Sequence, residues 1–70
     1  MDRDEHLAWC KQRALEYVDA GELANAVASM GSDMAKHPEL GANQYLMMLG
    51  LLHVDAGDSL AVRRWIEGFR

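Results

Sequence analysis

Val18-Asp19-Ala20-Gly21-Glu22 recurs thirty-six residues later as Val54-Asp55-Ala56-Gly57-Asp58. Each copy closes one run of helical pattern and opens another, so the chain reads as a duplicated helix hairpin. Glycine enters the left-handed backbone conformation without a steric penalty, and a glycine just past the last periodic apolar residue is a helix C-cap. Gly21 and Gly57 therefore predict two tight corners. A repeat period of roughly 20 to 50 residues means stacked units that share one core. The expected fold class is all-α, four helices in two tandem hairpins (residues 3–37 and 41–69) forming a compact bundle within a single helical domain, 1–70.

Outward from the first corner, Leu7, Cys10, Ala14, Tyr17 and Val18 fall on one stripe of a 3.6-residue helix, which starts between residues 2 and 5 at an Asp2 or Asp4 cap. The second helix presents Leu23, Ala26, Val27, Met30 and Met34 inward and runs to about Lys36, because the residue before Pro38 is pushed out of helical geometry. Ala24, Ala28 and Gly31 lie along another side, where small residues let a neighbouring helix come close. From Tyr45 to Leu52 every position except Gly50 is large and apolar, which predicts a helix buried on more than one side. Those side chains more than fill one stripe, so some are expected to face a second copy. Past Gly57, Asp58 or Ser59 caps the fourth helix, whose inner face is Val62, Trp65, Ile66 and Phe69.

Seventy residues are few for an independently stable core, since a chain of about 60 residues buries only about 60% of its unfolded surface. Cys10 is the only cysteine, so no disulfide staples the fold, and homodimerisation is the simplest substitute. No apolar run approaches the roughly 18 residues of a membrane span, and Met1-Asp2-Arg3-Asp4-Glu5 is too charged for a signal peptide. A cytoplasmic location and no membrane are expected. The net charge of -4 is unevenly spread: residues 1–35 hold seven acids and three bases, residues 36–70 four of each. Nucleic-acid binding needs a basic stripe, and Arg63-Arg64 with Arg70 is the only basic cluster.

Chemistry has few footholds. His6 and Cys10, at i and i+4 with Asp2 nearby, have a metal-ligand spacing but lack a third and fourth ligand in any recognised pattern, so no metal and no cofactor are expected. Cys10, Ser29, Ser32 and Ser59 have no positioned base beside them, and the six glycines are too scattered to cradle a phosphate. No catalytic residue is assigned and no enzyme is expected. Trp9, Arg13 and Glu16 run beside the core stripe of the first helix, and exposed Trp and Arg are enriched among interface hot spots. These three are candidate partner-binding residues. The alternative is that Trp9 covers the core edge while Arg13 stacks on it or pairs with Glu16. Arg63 and Arg64 are a second candidate contact. Met30, Met34, Met47 and Met48 suit packing better than an adaptable binding groove.

With Gly21 as anchor, Tyr17 four residues before it, Ala26 five after and Pro38 seventeen after give the first hairpin offsets that resemble a tetratricopeptide repeat. The second copy keeps Leu49-Gly50 and Gly57, with His53 where an aromatic is usual and Val62 for the small residue. Cys10 stands at the tryptophan position and Asp33 at an alanine position. The whole chain, by its HLAWCKQRALEYVDAGELANA opening, its KHPE break and its RRWIEGF close, is similar to small uncharacterised proteins of tailed bacteriophages. That resemblance implies a setting, an infected bacterial cytoplasm, and no particular activity. The expected function is a small non-enzymatic protein-protein interaction module, homodimeric and binding a host or phage protein. The alternative is an oligomeric ligand-sequestering or inhibitory anti-defence protein that holds a small anion or nucleotide with Arg63, Arg64 and helix N-termini.

Overall fold

In a computed structural model describing residues 2–41 and 43–70, four helices follow one another: α1 (Arg3–Asp19), α2 (Leu23–Met34), α3 (Gln44–Asp55) and α4 (Ser59–Glu67). Each start has a local cause. The Asp2 carboxylate accepts from the Glu5 N–H (2.8 Å), Asn43 Oδ1 from the Tyr45 N–H (2.7 Å) and Asp58 Oδ1 from the Ala61 N–H (3.0 Å). Such side-chain caps satisfy donors that the first helical turn leaves without partners. Glu22, at the head of α2, makes no such bond. The preceding corner leads straight into that helix.

The two corners are equivalent in their hydrogen bonds. Gly21 and Gly57 are left-handed, with φ of 78° and 65°. Gly21 N–H donates to Val18 and Glu22 N–H to Tyr17, both at 2.9 Å; Gly57 N–H donates to Val54 at 2.9 Å and Asp58 N–H to His53 at 3.1 Å. These are the paired bonds of a Schellman cap, formed twice. The repeated sequence therefore produces a repeated backbone. Helix α2 ends at Met34, two residues short of the expected Lys36, and the chain turns through His37 before Leu40 enters the core.

The elements pack as a rhombus. Helices α2 and α4 touch each other and both of the remaining helices, whereas α1 and α3 occupy opposite corners and do not meet. The core lies among α1, α2 and α4: Leu7, Cys10, Ala14 and Val18 from α1, Ala26, Val27, Met30 and Met34 from α2, Leu40, and Val62 and Ile66 from α4. Trp9, Tyr17, Leu23, Met47, Val54, Trp65 and Phe69 are half-buried around it. The stripes expected for α1, α2 and the fourth helix face this core, with Tyr17, Leu23, Trp65 and Phe69 half-buried at its edge and Phe69 just past the end of α4.

Helix α3 departs from expectation. Of its twelve residues only Gly50 is buried, while Tyr45, Leu46, Met48, Leu49, Leu51 and Leu52 are exposed. The helix predicted to be surrounded is instead the most naked, because only α2 and α4 lie against it. Two glycines set how closely they do so. A Cβ on Gly31 of α2 would lie 2.5 Å from the Met47 Cε, and one on Gly50 would lie 2.8 Å from the Trp65 ring. Gly31 thus permits the close approach expected of it, but Ala24 and Ala28 are exposed and take no part. The accessible surface, 4421 Å², matches the ~4,400 Å² expected of a folded chain of this mass, so the bare face of α3 does not reflect loose packing.

Candidate functional site

The side chains of α1 and α2 that sequence reasoning treated separately converge on one buried acid. Asp33 lies on the inward side of α2, i+3 from Met30 and i+7 from Ala26, and its side chain is only 3% exposed. Its Oδ2 accepts from Arg13 Nε (2.7 Å) and the Ser29 hydroxyl (3.3 Å), and its Oδ1 from Lys36 Nζ (3.2 Å). The Asp33 backbone carbonyl accepts from His6 Nε2 at 2.7 Å. Burial pushes the Asp33 carboxyl upward, but the bonds and charges of Arg13 and Lys36 outweigh it and leave the group below its ordinary value of 3.8. The same bond pushes the Arg13 guanidinium upward.

Trp9 forms the floor of this cluster. The Arg13 guanidinium carbon lies 5.0 Å and Lys36 Nζ 5.6 Å from the indole centroid, inside the distance at which a cation is attracted by an aromatic face. The His6 ring sits 5.4 Å from both the Trp9 and His37 rings. Of the candidate triad, Trp9 is therefore half-buried and Arg13 is engaged by Asp33. Glu16 is exposed beside a shallow hollow shared with Arg13, Tyr17, Ala20 and Glu22. Arg13 stacks on Trp9 as anticipated, but its carboxylate partner is Asp33 and not Glu16.

Arg63 and Arg64 point to different uses. Arg63 bonds the Asp19 carboxylate, tying α4 to the first corner. Arg64 is exposed and lines an open groove with Leu46, Trp65, Gly68 and Phe69. Cys10 is fully buried, and burial, then the nearby Asp33 charge, push its thiol above its ordinary value. A thiol so placed is a packing group and a poor nucleophile. Among the described residues no group of three His, Cys, Asp or Glu side chains could hold a metal ion. No helix among them is long and apolar enough to cross a membrane.

The second assembly of interest is the outward side of α3. Tyr45, Met48, Leu49 and Leu52 follow i, i+3, i+4, i+7 spacing and form a single stripe, with exposures of 78, 56, 47 and 60%. Across the helix, Met47 packs on Gly31 and the Trp65 indole lies on Gly50. The Trp65 Nε1–H donates to the Leu46 carbonyl at 2.8 Å, and its ring meets Phe69 edge-on at 5.0 Å. Helix α3 is thus fixed from one side and presents four large apolar side chains on the other. Between Gln44 and Val54 it carries no Asp, Glu, Lys or Arg.

The excess of apolar residues in α3 was visible in the sequence; which of them would be bare was not, because that depends on the rhombic packing. Asp33 was read only as a departure from an alanine position and not as a site residue, although a charged residue on an otherwise apolar stripe signals a buried ion pair. No protein-family model, curated protein or solved structure matches this chain.

Proposed function

We propose that the chain is a small non-enzymatic protein-protein interaction module whose working surface is the outward stripe of α3. One observation carries this reading: an uncharged row of Tyr45, Met48, Leu49 and Leu52 stands in solvent on a helix held rigidly from behind. Monomeric proteins rarely leave a contiguous apolar patch beyond a few hundred Å², and larger ones mark contact sites. The α3 stripe is favoured over Trp9, Arg13 and Glu16 because Arg13 already holds Asp33 and Trp9 is half-covered. A non-enzymatic role is supported by the burial of Cys10 and by the Ser29 hydroxyl being bonded to Asp33. The resemblances to tetratricopeptide hairpins and to phage proteins support a helical-repeat binder at work in an infected bacterial cytoplasm.

The test compares two variants of the full chain. Leu49→Arg with Leu52→Glu places on α3 the residues found at the matching positions of α1, Arg13 and Glu16. It is expected to abolish protein binding, self-association included, while circular dichroism shows unchanged helix content. Trp9→Ala is expected to retain binding at the cost of a lower melting temperature. Binding lost in Trp9→Ala but kept in the α3 variant would move the working surface to α1.

A further inference from the structure

The proposed working surface leaves open what covers it, and three properties of α3 answer that question. The first is area. Six exposed side chains (Tyr45, Leu46, Met48, Leu49, Leu51 and Leu52) each leave about half of a large apolar side chain bare, on the order of 600 Å² together. A specific interface takes about 800 Å² from each partner, so the α3 face with its immediate rim is the right size for one.

Charge is the second property. In a two-fold interface each patch meets itself, so every charged residue near the axis meets its like. The chain carries a net charge of -4, yet no Asp, Glu, Lys or Arg lies between Gln44 and Val54. A face without charge is one on which a like-charged copy can dock. The third property is register. When two α3 helices run antiparallel about an axis between Met48 and Leu49, Tyr45 lies opposite Leu52 of the other copy and Met48 opposite its Leu49. The stripe is therefore complementary to itself. That direction also brings the Asp55 end of each helix beside the other's Asn43 end, where the helix dipole is positive, and keeps the two Asp55 residues about 20 Å apart along the helices at a rise of about 1.5 Å per residue.

Resting on the reading of α3 as the working surface, we infer that its occupant is a second copy of this chain, docked antiparallel through Tyr45, Met48, Leu49 and Leu52 about a two-fold axis. The partner supplies the cover that a seventy-residue chain with one buried cysteine cannot draw from a disulfide.

Sedimentation equilibrium of the full chain tests this, with a mass of twice 7.8 kDa expected. Leu49→Arg and Leu49→Asp should each weaken the dimer at least ~100-fold, as charged residues do at a desolvated interface centre, and an equimolar mixture of the two should recover it. Direction is read by oxidation. Tyr45→Cys with Leu52→Cys is expected to crosslink between copies, whereas Leu52→Cys alone stays free because its counterpart lies about 10 Å further along the axis. Wild type, whose single Cys10 is buried, serves as the blank. A monomer at every concentration, a dimer indifferent to Leu49 charge, or ready crosslinking of Leu52→Cys alone would overturn the inference. A monomer that still binds a foreign protein through α3 would overturn only the second copy and leave the interaction module standing.

Discussion

Helices α1 and α3 hold the same place in the two hairpins, and the thirty-six-residue offset pairs their outward residues one for one: Trp9 with Tyr45, Gln12 with Met48, Arg13 with Leu49, Glu16 with Leu52. In the first hairpin that face is polar and reaches back to α2, where Arg13 bonds the buried Asp33 and Ser29 supports it. In the second hairpin the positions matching Ser29 and Asp33 are Trp65 and Phe69, which meet edge-on. With no acid to hold, Leu49 turns to solvent. One backbone unit has thus been given two ways of finishing its outer surface. The first closes on itself through charge, and the second remains open.

The two hairpins share one core, and substitutions there bear hardest on their equivalence. Met30 and Ile66 occupy matching positions and are both fully buried. Met30→Ala and Ile66→Ala are each expected to cost ~2–5 kcal/mol, the range for deleting a large buried side chain. A 70-residue domain has total stability of roughly 4–10 kcal/mol at usual per-residue values, so either change removes a large part of it. Urea unfolding followed by circular dichroism should show a single transition in both variants, each moved to lower urea. A biphasic transition in Ile66→Ala alone would mean that the first hairpin stands without the second.

The ionic face of the first hairpin gives a smaller, pH-dependent effect. Folded Asp33 lies below its ordinary value of 3.8, so it binds a proton more weakly in the folded chain than in the unfolded one. Its contribution is therefore complete above about pH 4 and is lost as pH falls through the lower folded value. Arg13→Ala removes a charged partner of the buried Asp33 and is expected to lower the melting temperature at pH 7, by less than either core truncation because the Arg13 side chain is 44% exposed and its bond is screened by solvent. Asp33→Asn should flatten the fall in melting temperature below pH 4. An acid limb as steep in Asp33→Asn as in wild type would assign it to other carboxylates.

Much of this arrangement was legible in the residues. The two glycine corners, a first helix starting at Asp2 or Asp4 and the inward stripes of α1, α2 and α4 follow from local spacing, because each depends on backbone conformation and a 3.6-residue period; the structure places the cap at Asp2. The exposure of α3 did not follow. A helix that is apolar on all sides reads as central, and only the arrangement of α1 and α3 at opposite corners shows that half of it has no neighbour. Trp9 and Arg13 read as a contact surface for a similar reason. The carboxylate that engages Arg13 is Asp33, twenty residues away; the apolar stripe of α2 marks that acid as buried, but no local spacing names Arg13 as its partner.

The smallest expected effect tests whether the second hairpin was adapted around its tryptophan. At the positions where the first hairpin has Ala14 and Ser29, the second has Gly50 and Trp65. A larger side chain on α4 is matched by a smaller one on α3. The indole lies where a Gly50 Cβ would stand, with three ring atoms 2.8 to 3.0 Å from it, and it is tethered by its bond to the Leu46 carbonyl. Alanine gains about 1 kcal/mol over glycine inside a helix, but overpacking against a rigid ring costs ~1–3 kcal/mol, so Gly50→Ala should destabilise by up to ~2 kcal/mol. Gly31 offers the control. Its added Cβ would meet only the Met47 terminus, the Cε at 2.5 Å and the Sδ at 3.1 Å, and a thioether chain can swing aside. Gly31→Ala should therefore lie between neutral and ~1 kcal/mol stabilising, the helix-propensity gain, although its Cβ would make the closer approach. If the two alanines instead rank by distance alone, with Gly31→Ala the worse, then Met47 is held as firmly as Trp65, and α3 is fastened to α2 no less tightly than to α4.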